Sequence, residues 1–144
     1  MSHTREMLDS TPAGAAWGAG EVAAAIDACL DCLQTCTSCA NACLGEDDVA
    51  EMAECIALDQ NCADLCATTA RVLSRPVDAD SRLVHPLLQA CVRACSSCAE
   101  ECARHAKHHQ HCAICAQACR ACLAACTTLL EAEAFAELKD LEGG

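Results

Sequence analysis

The spacing of the cysteines constrains the fold of this chain more than any other feature of its sequence. The segment from Cys29 to Cys43 reads CLDCLQTCTSCANAC, and its five cysteines are separated by steps of three, four, three and four residues. Such steps return to one face of an α-helix, so the segment predicts a helix with a continuous stripe of thiols. The same alternation marks the core positions of bundle helices, which leucine normally occupies.

Glycine and proline divide the chain into blocks that each favour helix over strand. We predict an N-terminal segment at residues 1–19, in which Trp17 packs, and one domain at residues 20–144. Within the domain, helices are expected at about residues 20–44, 48–74, 81–107 and 109–130, followed by a helical tail. Because the connections are short, the predicted fold is all-α, an antiparallel four-helix bundle.

All seventeen cysteines of the chain fall on four stripes, one for each predicted helix. The second helix has the fewest and leaves one step of its stripe without a thiol. In chain order the stripes are Cys29, Cys32, Cys36, Cys39 and Cys43; Cys55, Cys62 and Cys66; Cys91, Cys95, Cys98 and Cys102; Cys112, Cys115, Cys119, Cys122 and Cys126. Cysteine fills a core less well than leucine, so this arrangement indicates chemistry and not packing alone.

Composition and charge exclude several classes of protein. The net charge of −12 leaves no basic surface for nucleic acid. The first twenty residues hold no apolar signal core, and every long apolar stretch is interrupted by charge, so neither export nor a membrane span is expected. We therefore expect a cytoplasmic protein, in a compartment where thiols stay free or bind metal.

Such stripes of thiols could form disulfide bonds, zinc sites, iron–sulfur clusters or Cu(I) sites. Cysteines four apart on a helix have Cβ atoms about 5–6 Å apart, too far for an unstrained disulfide, although bridges between helices are open to the chain. Structural zinc prefers separate, closed sets of four ligands, and the ferredoxin-like spacing for iron–sulfur clusters is absent. Cu(I) is soft, is selected by thiolates and accepts two or three sulfur ligands, so adjacent sites can share a cysteine.

Cu(I) also matches the distances that the stripes provide. A near-linear S–Cu–S unit needs sulfur atoms roughly 4–5 Å apart, which residues four apart on a helix reach. About one Cu(I) per thiolate would balance the charge of a dry core, so many ions are expected. Seven pairs have this spacing: Cys32/Cys36, Cys39/Cys43, Cys62/Cys66, Cys91/Cys95, Cys98/Cys102, Cys115/Cys119 and Cys122/Cys126.

The four stripes resemble those of the bacterial copper storage proteins. The resemblance spans about residues 20–130 and is carried by segments such as CLDCLQTCTSCANAC and CAICAQACRACLAAC. It implies an antiparallel four-helix bundle that stores many Cu(I) ions, is not an enzyme and assembles as a homotetramer. The family has exported and cytosolic branches. Because the sequence shows no signal peptide, the resemblance implies the cytosolic branch. The second helix departs from the family pattern because it has only three cysteines. We therefore expect a lower capacity for copper on that side of the bundle.

Other candidate ligands continue the stripes at one end of the predicted bundle. His105, His108, His109 and His111 lie between the third and fourth stripes, Met52 precedes Cys55 by three residues, and Asp59 fills the missing step. We hypothesise that copper enters past these six residues, because imidazole and thioether bind Cu(I) more weakly than thiolate and can pass it on. At the opposite end the stripes run into an apolar set: Val22, Ile26, Val84, Leu88 and Leu129.

Two further expectations follow. Apolar residues beside the stripes should allow folding without metal: Leu30, Leu33, Ile56, Leu65, Val92, Ile114 and Leu123. The expected ligand is Cu(I), and a copper chaperone is a candidate partner. The alternatives are a thiol–disulfide redox protein, which needs an exposed thiol of low pKa, and a structural zinc-binding helical bundle.

Overall fold

The computed structural model describes residues 2–12 and 19–143 and has the all-α architecture that the sequence predicts. No residue within these ranges is in a β-strand. The elements are α1 (Thr4–Ser10), α2 (Ala19–Leu44), a 3₁₀ helix (Val49–Met52), α3 (Ala53–Leu73), α4 (Ser81–His105) and α5 (Gln110–Gly143). Trp17, for which we predicted a packing role, lies outside the described residues.

The four long helices form a ring in which each packs on the next: α2 on α3, α3 on α4, α4 on α5 and α5 on α2. Short connections make neighbouring helices antiparallel. The last turns of α2 and α4 and the first turns of α3 and α5 therefore meet at one end. We call it the histidine end, because residues 105–111 lie there, and we call the opposite end the apolar end.

The apolar end is closed by tightly packed side chains. The five residues expected there, Val22, Ile26, Val84, Leu88 and Leu129, are each exposed by 2% or less. Helix α1 adds to this end, since Leu8 is buried against the core and the Thr4 hydroxyl donates to Asp27 Oδ1 at 2.6 Å. The core at this end is therefore lined by buried apolar side chains.

The connections at the histidine end differ from the prediction. We expected an α-helix from about residue 48, but a 3₁₀ turn precedes α3. Asp48 makes no cap bond to the backbone, and its carboxylate contacts His109 Nε2 at 3.2 Å instead. Helix α4 also ends at His105, two residues early, and a turn follows in which the His105 carbonyl accepts from the backbone N–H groups of residues 108 and 109. At its other end, α4 is capped by the Asp80 side chain, which accepts from the backbone N–H of Arg82.

The residues beside the stripes pack less uniformly than expected. Leu33, Ile56, Val92 and Leu123 are partly buried against the core. The prediction was wrong for Leu30 and Ile114, which are 43% and 50% exposed. Leu30 follows Cys29 and Ile114 precedes Cys115, so both lie beside a stripe and not on it, where neighbouring helices cover less of the surface.

Helix α5 is apolar enough, from Gln110 to Ala132, to span a membrane by length and composition, with a mean hydropathy of 1.5. This value comes largely from its five cysteines and many alanines. The cysteines are buried inside the bundle, against α2, α3 and α4. Much of the hydrophobicity of α5 therefore comes from side chains that face the core of the bundle.

The packing predicts that the reduced, metal-free protein is already folded. Thiols that are protonated behave as small apolar groups, and the apolar end is complete without any ion. Circular dichroism of the metal-free protein should show mostly helix. A random-coil spectrum that becomes helical only when Cu(I) is added would contradict this prediction.

The apolar end should carry much of the stability of the metal-free protein. We expect Leu88→Ala to lower the free energy of unfolding by about 2–4 kcal/mol, because it opens a cavity at a fully buried site. Gln89→Ala is the matched control, since Gln89 is the neighbouring residue in the same helix and is exposed. Equal effects of the two substitutions in denaturant unfolding would show that this end does not stabilise the bundle.

Candidate metal centre

All seventeen cysteines lie buried inside the bundle as free thiols and form one connected set along its axis, which we call the cysteine tube. Groups of four ligand atoms lie within 4.8 Å of one another, and neighbouring groups share members. Along the axis from the apolar end they include Cys29, Cys66, Cys91 and Cys122; Cys32, Cys66, Cys95 and Cys122; Cys32, Cys36, Cys62 and Cys119; Cys36, Cys98, Cys115 and Cys119. The sites overlap and do not form separate closed sets.

Sulfur atoms on one helix are as close as the spacing predicts. The Sγ atoms of Cys32 and Cys36 are 3.7 Å apart. Three further pairs with the same spacing have Sγ atoms 3.9–4.0 Å apart: Cys62/Cys66, Cys98/Cys102 and Cys122/Cys126. These distances exclude disulfide bonds, whose sulfur atoms are about 2.05 Å apart.

Sulfur atoms on different helices are equally close. Cys29 on α2 lies 3.6 Å from Cys122 and 3.7 Å from Cys126 on α5, and Cys62 on α3 lies 3.7 Å from Cys95 on α4. With metal–sulfur bonds of roughly 2.3 Å, trigonal coordination places sulfur atoms roughly 4.0 Å apart and linear coordination roughly 4.6 Å. The observed separations therefore suit trigonal or bridging thiolates with little movement of the helices.

Asp59 occupies the step of the α3 stripe that lacks a cysteine, and its carboxylate is inside the tube. The thiols of Cys98, Cys115 and Cys102 donate to Asp59 Oδ1 at 3.0, 3.2 and 3.4 Å. Burial raises the pKa of Asp59 to about 8, and the nearby sulfurs of Cys115 and Cys55 add to the rise. The carboxyl group is therefore largely protonated near neutral pH in the absence of metal.

The thiols near the histidine end differ in acidity. Burial raises the pKa of Cys43 to about 12 and also raises the pKa of Cys112. Hydrogen bonds from Cys102 and Cys39 lower the pKa of Cys55. Cys55 is therefore the thiol at this end that most readily becomes the thiolate that a soft metal ion binds.

The histidines lie at different depths. His111 reaches the tube, with Nδ1 3.3 Å from Cys39 Sγ and 3.6 Å from Cys112 Sγ. These atoms and Cys43 form a four-ligand group that could hold a metal ion. Both nitrogens of His109 face carboxylates instead: Nδ1 lies 2.8 Å from Glu46 and Nε2 3.2 Å from Asp48.

The other predicted ligands, His105, His108 and Met52, have different surroundings. His105 Nε2 contacts Glu101 at 2.8 Å, while His108 is exposed at the surface. Met52 is fully buried and belongs to the core cluster that contains the tube. The structure thus brings His111, Met52 and Asp59 to the cysteines, and directs His105 and His109 toward acidic side chains.

The carboxylates that contact these histidines were not predicted from the sequence. Glu101 precedes His105 by four residues, a spacing at which helical side chains meet, so a local signal was present. Glu46 and Asp48 belong to the connection between α2 and α3, and they reach His109 across more than sixty residues of chain. Their contact with His109 arises because the α2–α3 and α4–α5 connections lie at the same end of the bundle.

Comparison with known proteins agrees with this geometry. Residues 19–131 match the family model described as copper storage protein. The copper storage protein Ccsp of Streptomyces lividans, solved loaded with 10 copper equivalents, is 45% identical, with a TM-score of 0.87 over 89% of this chain and 98% of that chain.

Two further relatives support the assignment. A structure described as copper loading to a cytosolic copper storage protein from Streptomyces lividans, with five coppers, is 49% identical, with a TM-score of 0.77 over 78% of this chain and 93% of that one. The uncharacterized cysteine-rich protein YhjQ of Bacillus subtilis (strain 168) is 35% identical over 74% of this chain and 93% of the relative. The chain therefore belongs to the copper storage protein family, whose function is to hold copper and not to catalyse a reaction.

Proposed function

We propose that this protein buffers cytosolic copper by storing many Cu(I) ions in the cysteine tube, with the histidine end as the route of entry and exit. The observation that carries the proposal is the overlap of the four-ligand groups, in which one sulfur belongs to two sites. Shared thiolates suit an ion that accepts bridging sulfur ligands and is stored in number. The relatives solved with five coppers and with 10 copper equivalents support storage of several ions.

We propose the seventeen cysteines as the main ligands, with Asp59, His111 and Met52 as additional ligands inside or beside the tube. His105, His108 and His109 are proposed to act at the entrance. His111 is the best placed of the four, because its Nδ1 is within 3.6 Å of two thiols. An ion bound there moves to a stronger thiolate site by exchanging one ligand at a time.

The two ends support an entry route from one side only. At the apolar end the five packed side chains, Val22, Ile26, Val84, Leu88 and Leu129, are hydrocarbons that cannot bind a metal ion. At the histidine end, imidazoles lie among the carboxylates of Glu46, Asp48 and Glu101, which attract a cation. A copper chaperone is a candidate donor at this end.

Localisation and assembly are part of the same proposal. The cytosolic description of the Streptomyces lividans relative supports a cytosolic location for this chain. We also propose a homo-oligomer, a tetramer, because the bundle leaves several large apolar side chains exposed on its outer surface. These include Leu30, Leu44, Leu83 and Ile114.

Neither alternative function fits the geometry as well. A thiol–disulfide redox protein needs an accessible thiol, whereas every cysteine is buried. A structural zinc bundle needs four ligands for each ion, and the sharing of sulfurs between adjacent groups works against closed tetrahedral sites. Cu(I), with two or three ligands, uses the shared sulfurs without conflict.

Titration with Cu(I) tests storage directly. We expect the reduced protein to take on the order of ten or more ions per chain from a competing chromogenic chelator, because about one Cu(I) per thiolate balances the charge of the core. The measurement is the amount of copper withheld from the chelator. Saturation after one or two ions would contradict storage and favour a single structural site.

Replacement of four histidines tests the entry route. Alanine at His105, His108, His109 and His111 should slow the transfer of Cu(I) from a donor, while most of the final capacity remains, because the thiolates are untouched. Stopped-flow absorbance of the copper–thiolate band measures the rate. His3→Ala is the control, since His3 directly precedes α1, which packs at the apolar end. An unchanged rate in the fourfold variant would remove these histidines from the mechanism.

Asp59 gives the metal-free protein a specific dependence on pH. Its pKa of about 8 in the folded protein lies above the ordinary value of 3.8, so ionisation of Asp59 opposes folding and stability falls as the pH rises from about 4 to 8. We expect Asp59→Asn to raise the free energy of unfolding by about 2–4 kcal/mol at pH 8.

The gain from Asp59→Asn should shrink as the pH falls and vanish below about pH 4, where the carboxyl group is neutral in both states. Denaturant unfolding of the reduced, metal-free proteins across this range provides the measurement. Asp64→Asn is the control, because Asp64 lies on the same helix and is exposed. A gain that does not change with pH would show that ionisation of Asp59 is not its cause.

A further inference from the structure

Glu46 joins two histidines at the histidine end of the bundle. It lies in the connection between α2 and α3, and its carboxylate is half-buried under the turn that precedes α5. Glu46 Oε2 is 2.8 Å from His109 Nδ1, and Oε1 is 3.5 Å from His111 Nε2. The two imidazole rings are stacked with centroids 5.5 Å apart, so one carboxylate faces both rings at once.

The two nitrogens of His111 have different surroundings. Nδ1 points into the cysteine tube, where it lies 3.3 Å from Cys39 Sγ and 3.6 Å from Cys112 Sγ. Nε2 is buried and has no hydrogen-bond partner within the described residues, and its acidic neighbour is Glu46, 3.5 Å away. The carboxylate and the thiols are thus on opposite sides of one ring.

A neutral imidazole carries its proton on one nitrogen and a lone pair on the other. A carboxylate next to Nε2 favours the proton there, since a lone pair on Nε2 would face a second negative group. The lone pair is then left on Nδ1, in the group that includes Cys39, Cys43 and Cys112. Ligating histidines commonly donate their second N–H to a carboxylate in this way.

His109 fixes the position of Glu46. It is held on both sides, by Glu46 at Nδ1 and by Asp48 at Nε2, and its side chain is only 10% exposed. The hydrogen bond with His109 lowers the pKa of Asp48. Glu46 therefore does not move freely in solvent, and its second oxygen is kept beside His111.

We propose that Glu46 is a positioning residue for copper uptake: it holds His111 in the tautomer protonated at Nε2, with Nδ1 free to bind the first Cu(I) ion. The proposal rests on copper entering at the histidine end. Without Glu46, His111 also takes the tautomer protonated at Nδ1, in which Nδ1 faces the thiols as a donor and cannot bind metal. In molecules with that tautomer, the proton must leave Nδ1 before Nδ1 can bind the first Cu(I) ion.

The test uses Glu46→Ala, with Glu46→Gln as the conservative variant and Asp47→Ala as the matched control. Asp47 is the neighbouring acidic residue and is exposed, so its removal changes the net charge in the same way. Long-range proton–nitrogen NMR spectra of the reduced, metal-free protein report the tautomer of each histidine. The His111 signals are assigned by their loss in His111→Asn.

We expect the original protein and Asp47→Ala to show His111 protonated at Nε2, and Glu46→Ala to show a mixture or the other tautomer. Glu46→Gln should keep the original tautomer in large part, because its amide oxygen still accepts a hydrogen bond. Uptake of the first copper equivalent should be about 10-fold slower in Glu46→Ala, with the final capacity unchanged. Circular dichroism establishes that each variant is folded.

An unchanged His111 tautomer in folded Glu46→Ala would overturn the proposal. So would a changed tautomer with an unchanged rate of uptake, since the positioning would then have no consequence for copper. Failure of the proposed function gives a different result: the NMR effect of Glu46→Ala would remain, while even the original protein would take up only one or two ions. The two failures are therefore distinguishable in the same set of samples.

Discussion

Contact between buried sulfur atoms is the interaction on which the rest of this structure depends. Protonated thiols pack as small apolar groups, so sulfur atoms 3.6–4.0 Å apart form a core that needs no metal to exist. The same atoms become strong Cu(I) ligands once they lose their protons. An isolated thiolate in so dry a place is costly, which couples the loss of each proton to the arrival of a cation. One set of positions thus serves both the empty and the loaded protein.

The two ends of the bundle differ because these two states place different demands on them. The empty protein needs a packed core, and the apolar end provides one through side chains such as Leu88 and Leu129. The histidine end holds imidazoles, carboxylates and the readily ionised thiol of Cys55, and we propose it as the route by which ions enter and protons leave. Asp59 accepts hydrogen bonds from thiols inside the tube, and we propose that the same carboxylate is a metal ligand in the loaded protein.

The fold and the cysteine tube were predictable because both follow from local periodicity. Steps of three and four residues fix which side chains share a helix face, and the gap in the second stripe located Asp59 among the thiols. The partners of the histidines were not predictable in this way. His109 belongs to the extended stripe, yet it faces Glu46 and Asp48, because two loops distant in sequence meet at one end. Likewise, the 3₁₀ turn before α3 was not predicted from the sequence.

Anomalous diffraction at the copper absorption edge, from crystals of the reduced protein loaded with Cu(I), is the most direct test of the central claim. The account predicts a row of copper peaks along the bundle axis, each within bonding distance of two or three cysteine sulfurs, with sulfurs shared between neighbouring ions. Copper found only at surface histidines and carboxylates, above a tube of protonated or disulfide-bonded cysteines, would contradict it.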